Sequence, residues 1–234
     1  MTGHVLACGG GGMERDERWR LRPGPLLEHA LALTGTPAAR VCGVFTAVGD
    51  DATTIAGWYA AFADRPERVS HLALLPMPSV DDLRAHVLAQ DLVWVWGGSV
   101  AGLMALWRLH GLDEVLREAH EAGVVLAGVS AGSLCWTSGG TTDSFGPRLR
   151  AWTDGLRLVE GSTCPHYDSE GERRPLYRRL VADGVLEPGI GADDGVGLHY
   201  VDGRFAEAVA DREGAHAWRV DASGETRLPV RRLP

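Results

Sequence analysis

The sequence contains no lysine and no asparagine. All 23 basic side chains are therefore arginine, against 31 acidic ones, and the formal net charge is −8. The missing lysine reads as the coding bias of a GC-rich genome and carries no chemistry. The charge balance does carry some: duplex-binding proteins present a basic face, so no nucleic-acid partner is expected. No run of roughly 18 apolar residues occurs, so no membrane-spanning helix is expected. The stretch Met1–Cys8 lacks a basic segment followed by a long apolar one, so the expectation is a cytoplasmic protein without a secretory signal. Cysteine is scarce. Cys8, Cys42, Cys135 and Cys164 are widely spaced with no C-x-x-C pair, which argues against a disulfide framework and a zinc site. Cys8, Cys42 and Cys135 lie in apolar surroundings and read as buried thiols. No metal and no organic cofactor is expected.

What is present is an ordinary globular composition, 45% apolar and 23% charged over 234 residues. That length suits one domain, residues 1–234. Apolar runs, turns and amphipathic stretches alternate. Strands are predicted at His4–Cys8, Arg40–Phe45, Val69–Leu75, Leu92–Trp96 and Val124–Val129, with helices at Pro25–Leu33, Ala52–Ala63 and Val80–Ala89, and helical stretches after Gly97-Gly98-Ser99 up to Ala122. Leu92–Trp96 is apolar without interruption, as in a strand buried on both faces. The alternation predicts an α/β fold of three layers, a mostly parallel sheet with helices on both faces. After Gly155 the pattern changes. Gly189–Ala192, Val196–Tyr200, Arg204–Val209 and Ala215–Val220 read as short strands, with Asp202-Gly203 as a hairpin turn. They predict a small antiparallel C-terminal meander at one edge of the sheet. Its exposed edge offers a surface for a homodimer.

The most informative segment is Val124 to Leu134, an apolar strand followed by Gly128-Val129-Ser130-Ala131-Gly132 and a helical stretch. Strand, G-x-S-x-G and helix together form the context of a nucleophile elbow. The strand delivers Ser130 at its carboxyl end, and Gly128 and Gly132 leave room for a sharp turn. The backbone N–H of Ala131 is a candidate oxyanion donor. Gly97-Gly98 follows the strand Leu92–Trp96; in a parallel sheet its loop emerges at the same carboxyl edge, and Gly98 is a candidate second donor. A serine nucleophile needs a base. Of nine histidines, His166 stands out, in the loop-like stretch Cys164-Pro165-His166-Tyr167-Asp168. A carboxylate should orient it, and Asp193, Asp194 and Asp143 are the candidates.

Taken together, these residues resemble the peptidase E (aspartyl dipeptidase) and cyanophycinase family of serine peptidases. The resemblance runs from about residue 4 to 220 and rests on five motifs in order. They are Val95-Trp96-Gly97-Gly98, Gly111 to Leu116, Gly128 to Gly132, Cys164 to Tyr167, and Ile190-Gly191-Ala192-Asp193-Asp194-Gly195. It implies a class I amidotransferase or flavodoxin-like fold. It implies Ser130 as nucleophile, His166 as base, and Gly98 and Ala131 as the oxyanion hole. The family's third member is a Glu; here Asp194 falls in that place, shorter by one methylene, so the backbone must come closer or water must intervene. Asp143 matches another family acid and remains the alternative. Where the family often has Gly-Gly-Asn-Thr this chain has Gly97-Gly98-Ser99-Val100, so Ser99 falls at a substrate-binding position. Arg173 falls near the Arg that pairs with the substrate carboxylate in aspartate-specific members.

The implied activity is hydrolysis of short peptides, including those with an N-terminal Asp, through an acyl-enzyme. The alternatives are another serine hydrolase (an esterase or amidase) and a non-catalytic peptide-binding member. A cysteine-dependent amidotransferase would need a nucleophilic Cys; Cys135, five residues after Ser130, is expected inside the helix.

Overall fold

The computed structural model describes residues 2–234. The chain runs β1 (His4–Cys8), β2 (Met13–Arg15), β3 (Leu21–Pro23), α1 (Pro25–Leu33), β4 (Arg40–Val44), α2 (Ala52–Ala61), β5 (Arg68–Leu72) and α3 (Leu83–Leu88). It continues with β6 (Leu92–Val95), α4 (Val100–His110), α5 (Leu112–Glu121), β7 (Val125–Val129), α6 (Ala131–Leu134), β8 (Gly140–Thr142), β9 (Arg150–Trp152) and β10 (Ser162–Cys164). The last elements are α7 (Arg173–Ala182), β11 (Gly189–Ala192), β12 (Val196–Val201), β13 (Arg204–Ala210), β14 (Ala217–Asp221), β15 (Gly224–Leu228) and β16 (Val230–Arg232).

The uninterrupted apolar runs become the centre of an eight-stranded sheet ordered β16-β13-β12-β1-β7-β6-β4-β5. The five strands from β1 to β5 in that order are parallel. Side chains on β1 alternate, as the pleat requires. Val5 and Ala7 pack with residues of α3, α4 and α5, while Leu6 and Cys8 pack with residues of α1 and α2. Helices therefore cover both faces, and β6 and β7 are buried along their whole length. Helix starts follow their caps: Asp51 accepts from Thr54 N at 2.8 Å to open α2, and Asp82 accepts from Ala85 N at 2.8 Å to open α3.

The C-terminal strands differ from a single meander at one edge. β12, β13 and β16 extend the main sheet, while β11, β14 and β15 join β8, β9 and β10 in a second sheet ordered β15-β14-β11-β10-β8-β9. The reason is the connection between β11 and β12. It is only residues 193–195, and both strands have better partners elsewhere: β11 lies parallel to β10, and β12 antiparallel to β1. The chain changes sheets at Asp193-Asp194. The strands of the second sheet from β8 to β10 and the hairpin β2–β3 were not anticipated, because three-residue strands carry no period. One apolar cluster holds Val5 and Leu126 of the main sheet with Trp152, Ile190 and Ala217 of the second.

Candidate active site

β7 leads directly into Ser130, whose backbone has φ 55° and ψ −112°, a region that L-residues rarely occupy. The turn is possible only because its flanks are bare. A Cβ on Gly128 would lie 2.3 Å from the Gly132 carbonyl oxygen, and one on Gly132 would lie 2.3 Å from that of Val95. Ser130 N donates to Cys8 O at 3.0 Å, and Ser133 Oγ donates to Ser130 O at 2.7 Å. These bonds hold the elbow against the end of β1.

The Gly97-Gly98 loop lies beside it. A Cβ on Gly97 would sit 3.1 Å from Ser130 Cβ. Gly98 has φ 134°, and a Cβ there would meet Ala47 O at 2.3 Å, so the position requires glycine. Gly98, next to Gly97 in this loop, and Ala131, which opens α6 directly after Ser130, thus lie at one sheet edge.

β10 leads through Pro165 to His166, which also has positive φ, 54°. Its backbone N–H donates to Gly9 O at 3.3 Å, tying it to the loop after β1. The imidazole bridges two residues. Nε2 is 2.9 Å from Ser130 Oγ and Nδ1 is 2.6 Å from Asp194 Oδ1. An ionised carboxylate only accepts, so Nδ1 carries the proton and Nε2 accepts from the serine hydroxyl. The hydrogen bond from His166 is the main influence that holds the Asp194 carboxyl below the usual aspartate range, helped by the Ser169 hydroxyl and opposed by partial burial.

Asp194 is itself bracketed. Its backbone N–H donates to Asp168 Oδ1 at 2.8 Å, its carbonyl accepts from Arg212 Nε at 2.7 Å, and Arg212 pairs with Asp168. Gly10 completes the fit, since a Cβ there would stand 2.1 Å from Asp194 Oδ1. The missing methylene of a Glu is therefore met by backbone approach, with direct contact to the imidazole. None of Gly10, Asp168 and Arg212 was singled out from the sequence. Asp168 lies two residues past His166, in the same loop-like stretch, but nothing marks Arg212 before the fold is known.

The other candidates lie elsewhere. Asp193 turns away and is buried, with Oδ2 accepting from His216 N at 2.9 Å, and burial pushes its carboxyl up. Asp143 is exposed, on a loop whose Ser144 Oγ accepts from Val100 N at 2.9 Å; the bond to His166 Nδ1 comes from Asp194. Ser99 stands beside Gly98, but its hydroxyl caps α4, accepting from Gly102 N at 3.1 Å. Arg173 is 4% exposed and already bonded: Nε donates to Glu170 Oε2 at 2.6 Å and Nη1 to Thr141 O at 2.8 Å. Cys135 is fully buried and its Sγ lies 3.3 Å from Gly132 O. Burial raises its thiol well above the ordinary value, which removes it as a nucleophile. Among the described residues, the one group with metal-ligating spacing, His29, His199 and Glu207, lies outside this site.

Comparison with known proteins bears on the family and the fold. Residues 5–208 match the model of Peptidase family S51. The uncharacterized peptidase YgaJ of Bacillus subtilis (strain 168) is 40% identical over 235 residues, spanning 98% of each chain. A crystal structure of a peptidase from an acI-B1 actinobacterium superposes with a TM-score of 0.68 at 17% identity, covering 98% of this chain and 95% of that one. A candidate peptidase E protein from Listeria monocytogenes EGD-e superposes with a TM-score of 0.63 at 14% identity, covering 98% and 100%. The two structural likenesses establish the flavodoxin-like α/β fold. The family match and the 40% identity establish more: this chain belongs to peptidase family S51, the peptidase E family, and is a serine-type peptidase.

Proposed function

We propose that the chain hydrolyses short peptides through an acyl-enzyme formed on Ser130, with His166 as general base and acid and Asp194 as its orienting carboxylate. The reading is carried by one observation, the unbroken line from Ser130 Oγ through both ring nitrogens of His166 to Asp194 Oδ1, with spacings of 2.9 and 2.6 Å. Ser130 Oγ attacks the scissile carbonyl as its proton passes to Nε2. The oxyanion is received by the N–H groups of Gly98 and Ala131, each such donor being worth about 3–4 kcal/mol. His166 then protonates the leaving amine, and water, activated by the same imidazole, releases the acyl group. Asp194 keeps the proton on Nδ1 and stabilises the imidazolium.

The same reading favours a broad preference at the substrate's amino-terminal side chain. Arg173 has Glu170 as its carboxylate partner, and Ser99 caps a helix. A substrate Asp would have to displace Glu170. The test is turnover of an X-Leu dipeptide library by the wild type and by Ser130→Ala, with fluorophosphonate labelling of both. Cleavage of several dipeptides and labelling of the wild type, both lost in Ser130→Ala, is the expected result. Cleavage that survives Ser130→Ala would overturn the mechanism. Labelling without cleavage of any dipeptide would replace the substrate class.

A further inference from the structure

A second cluster of chemistry-bearing side chains lies on the sheet face under α1. His29 projects from α1, His199 from β12 and Glu207 from β13, where His199 and Glu207 are cross-strand partners. One ligand atom from each lies within 4.8 Å of the others. We infer that His29, His199 and Glu207 form a site for a divalent transition-metal ion, zinc being the first candidate, which ties α1 to the β12–β13 hairpin.

Three features support it. The first is His29. Its Nε2 is buried and has no hydrogen-bond partner among the described residues, a state that leaves a polar atom both dehydrated and unpaired. The second is the pair His199 Nδ1 and Glu207 Oε1, 3.9 Å apart. That is too long for a hydrogen bond, yet close to the ~3.4 Å expected between two ligands bound at 2.0–2.1 Å in a tetrahedral zinc site. The third is His4, whose Nδ1 lies 3.0 Å from His199 Nε2. An imidazole that binds metal through one nitrogen usually donates its other N–H to a neighbour that fixes the tautomer, and His4 stands in that place.

Arg231 must be accommodated, because it bonds both oxygens of Glu207, at 2.9 and 2.8 Å. A carboxylate has about four lone-pair directions and the guanidinium occupies two, so a metal can take another while Arg231 holds the carboxylate in place. Three protein ligands would leave a fourth position for water.

The test uses the full chain, stripped with a chelator and dialysed against Zn²⁺, with Co²⁺ as a spectroscopic substitute. The expected result is one Zn²⁺ per chain, retained by His166→Ala and lost in His29→Gln and in Glu207→Gln. His4→Phe should weaken binding by about 10- to 100-fold. Co²⁺ should give visible d–d bands without near-ultraviolet thiolate bands. No stoichiometric Zn²⁺ on the wild type would overturn the site. So would unchanged binding by a folded His29→Gln, loss of binding in His166→Ala, or thiolate bands with Co²⁺. If His29→Gln does not fold, the Co²⁺ spectrum of the wild type and the His4→Phe affinity decide.

Discussion

A Cβ on Gly10 would stand 2.1 Å from Oδ1 of Asp194, the same oxygen that meets His166 Nδ1 at 2.6 Å. The loop after β1 thus sets how near the carboxylate can lie to the imidazole. Gly10→Ala should push Asp194 off its partner. The expected loss in kcat/KM is about 10²- to 10⁴-fold, the range spanned by acid–base catalysis. Steady-state kinetics beside a circular dichroism melt separates this from unfolding.

Arg212 and Asp168 hydrogen-bond to the backbone of Asp194, and the Arg212 charge also helps to lower its carboxyl. Arg212→Ala should lower kcat by roughly 10-fold with KM nearly unchanged, since the orientation of the base is loosened and no substrate contact is lost. Arg212→Lys should recover part of that loss by keeping a donor to the carbonyl. An equal effect on KM would point to substrate contact instead.

The Asp194 carboxyl lies below its ordinary value, so the unfolded chain binds this proton more tightly than the native one. Stability therefore rises with pH between the native and unfolded values. The contribution is complete above the unfolded value of about 4 and is lost as pH falls through the native one. Urea midpoints of wild type and Asp194→Asn should differ by a constant amount from about pH 8 to about pH 5, and the gap should close below about pH 4.

Arg173 is buried against Glu170 and the carbonyl of Thr141. Arg173→Leu should cost about 1–3 kcal/mol of stability through the unpaired carbonyl. The ratio of Asp-Leu to Ala-Leu turnover should stay within about twofold, because a contact already made to Glu170 does not discriminate substrates. A selective fall in Asp-Leu turnover would make Arg173 the substrate carboxylate's partner.

Much of this was readable in the chain. The parallel strand β6 follows from an uninterrupted apolar run and β4 and β7 from largely apolar ones, while α3 opens at Leu83, after the Asp82 cap, and not at Val80 as expected. Ser130 was legible because strand, glycines and helix are contiguous in sequence. His166 was narrowed by loop context, but its role needs Ser130 36 residues away to come within 2.9 Å. The choice among three aspartates was not legible. Asp193 and Asp194 are neighbours with the same side chain, and only the turn between two sheets sends one to His216 and the other to His166.

The sequence by itself determined the layered α/β core and the strained serine turn, because both depend on local period and on glycines adjacent in the chain. Tertiary structure decided which acid reaches the base, that Gly10, Asp168 and Arg212 hold it there, and that His29 meets His199 and Glu207. Those meetings join residues brought together by strand order and by the crossing from one sheet to the other. Side-chain chemistry at a single position cannot encode them, since the partners share no local segment whose pattern would reveal the contact.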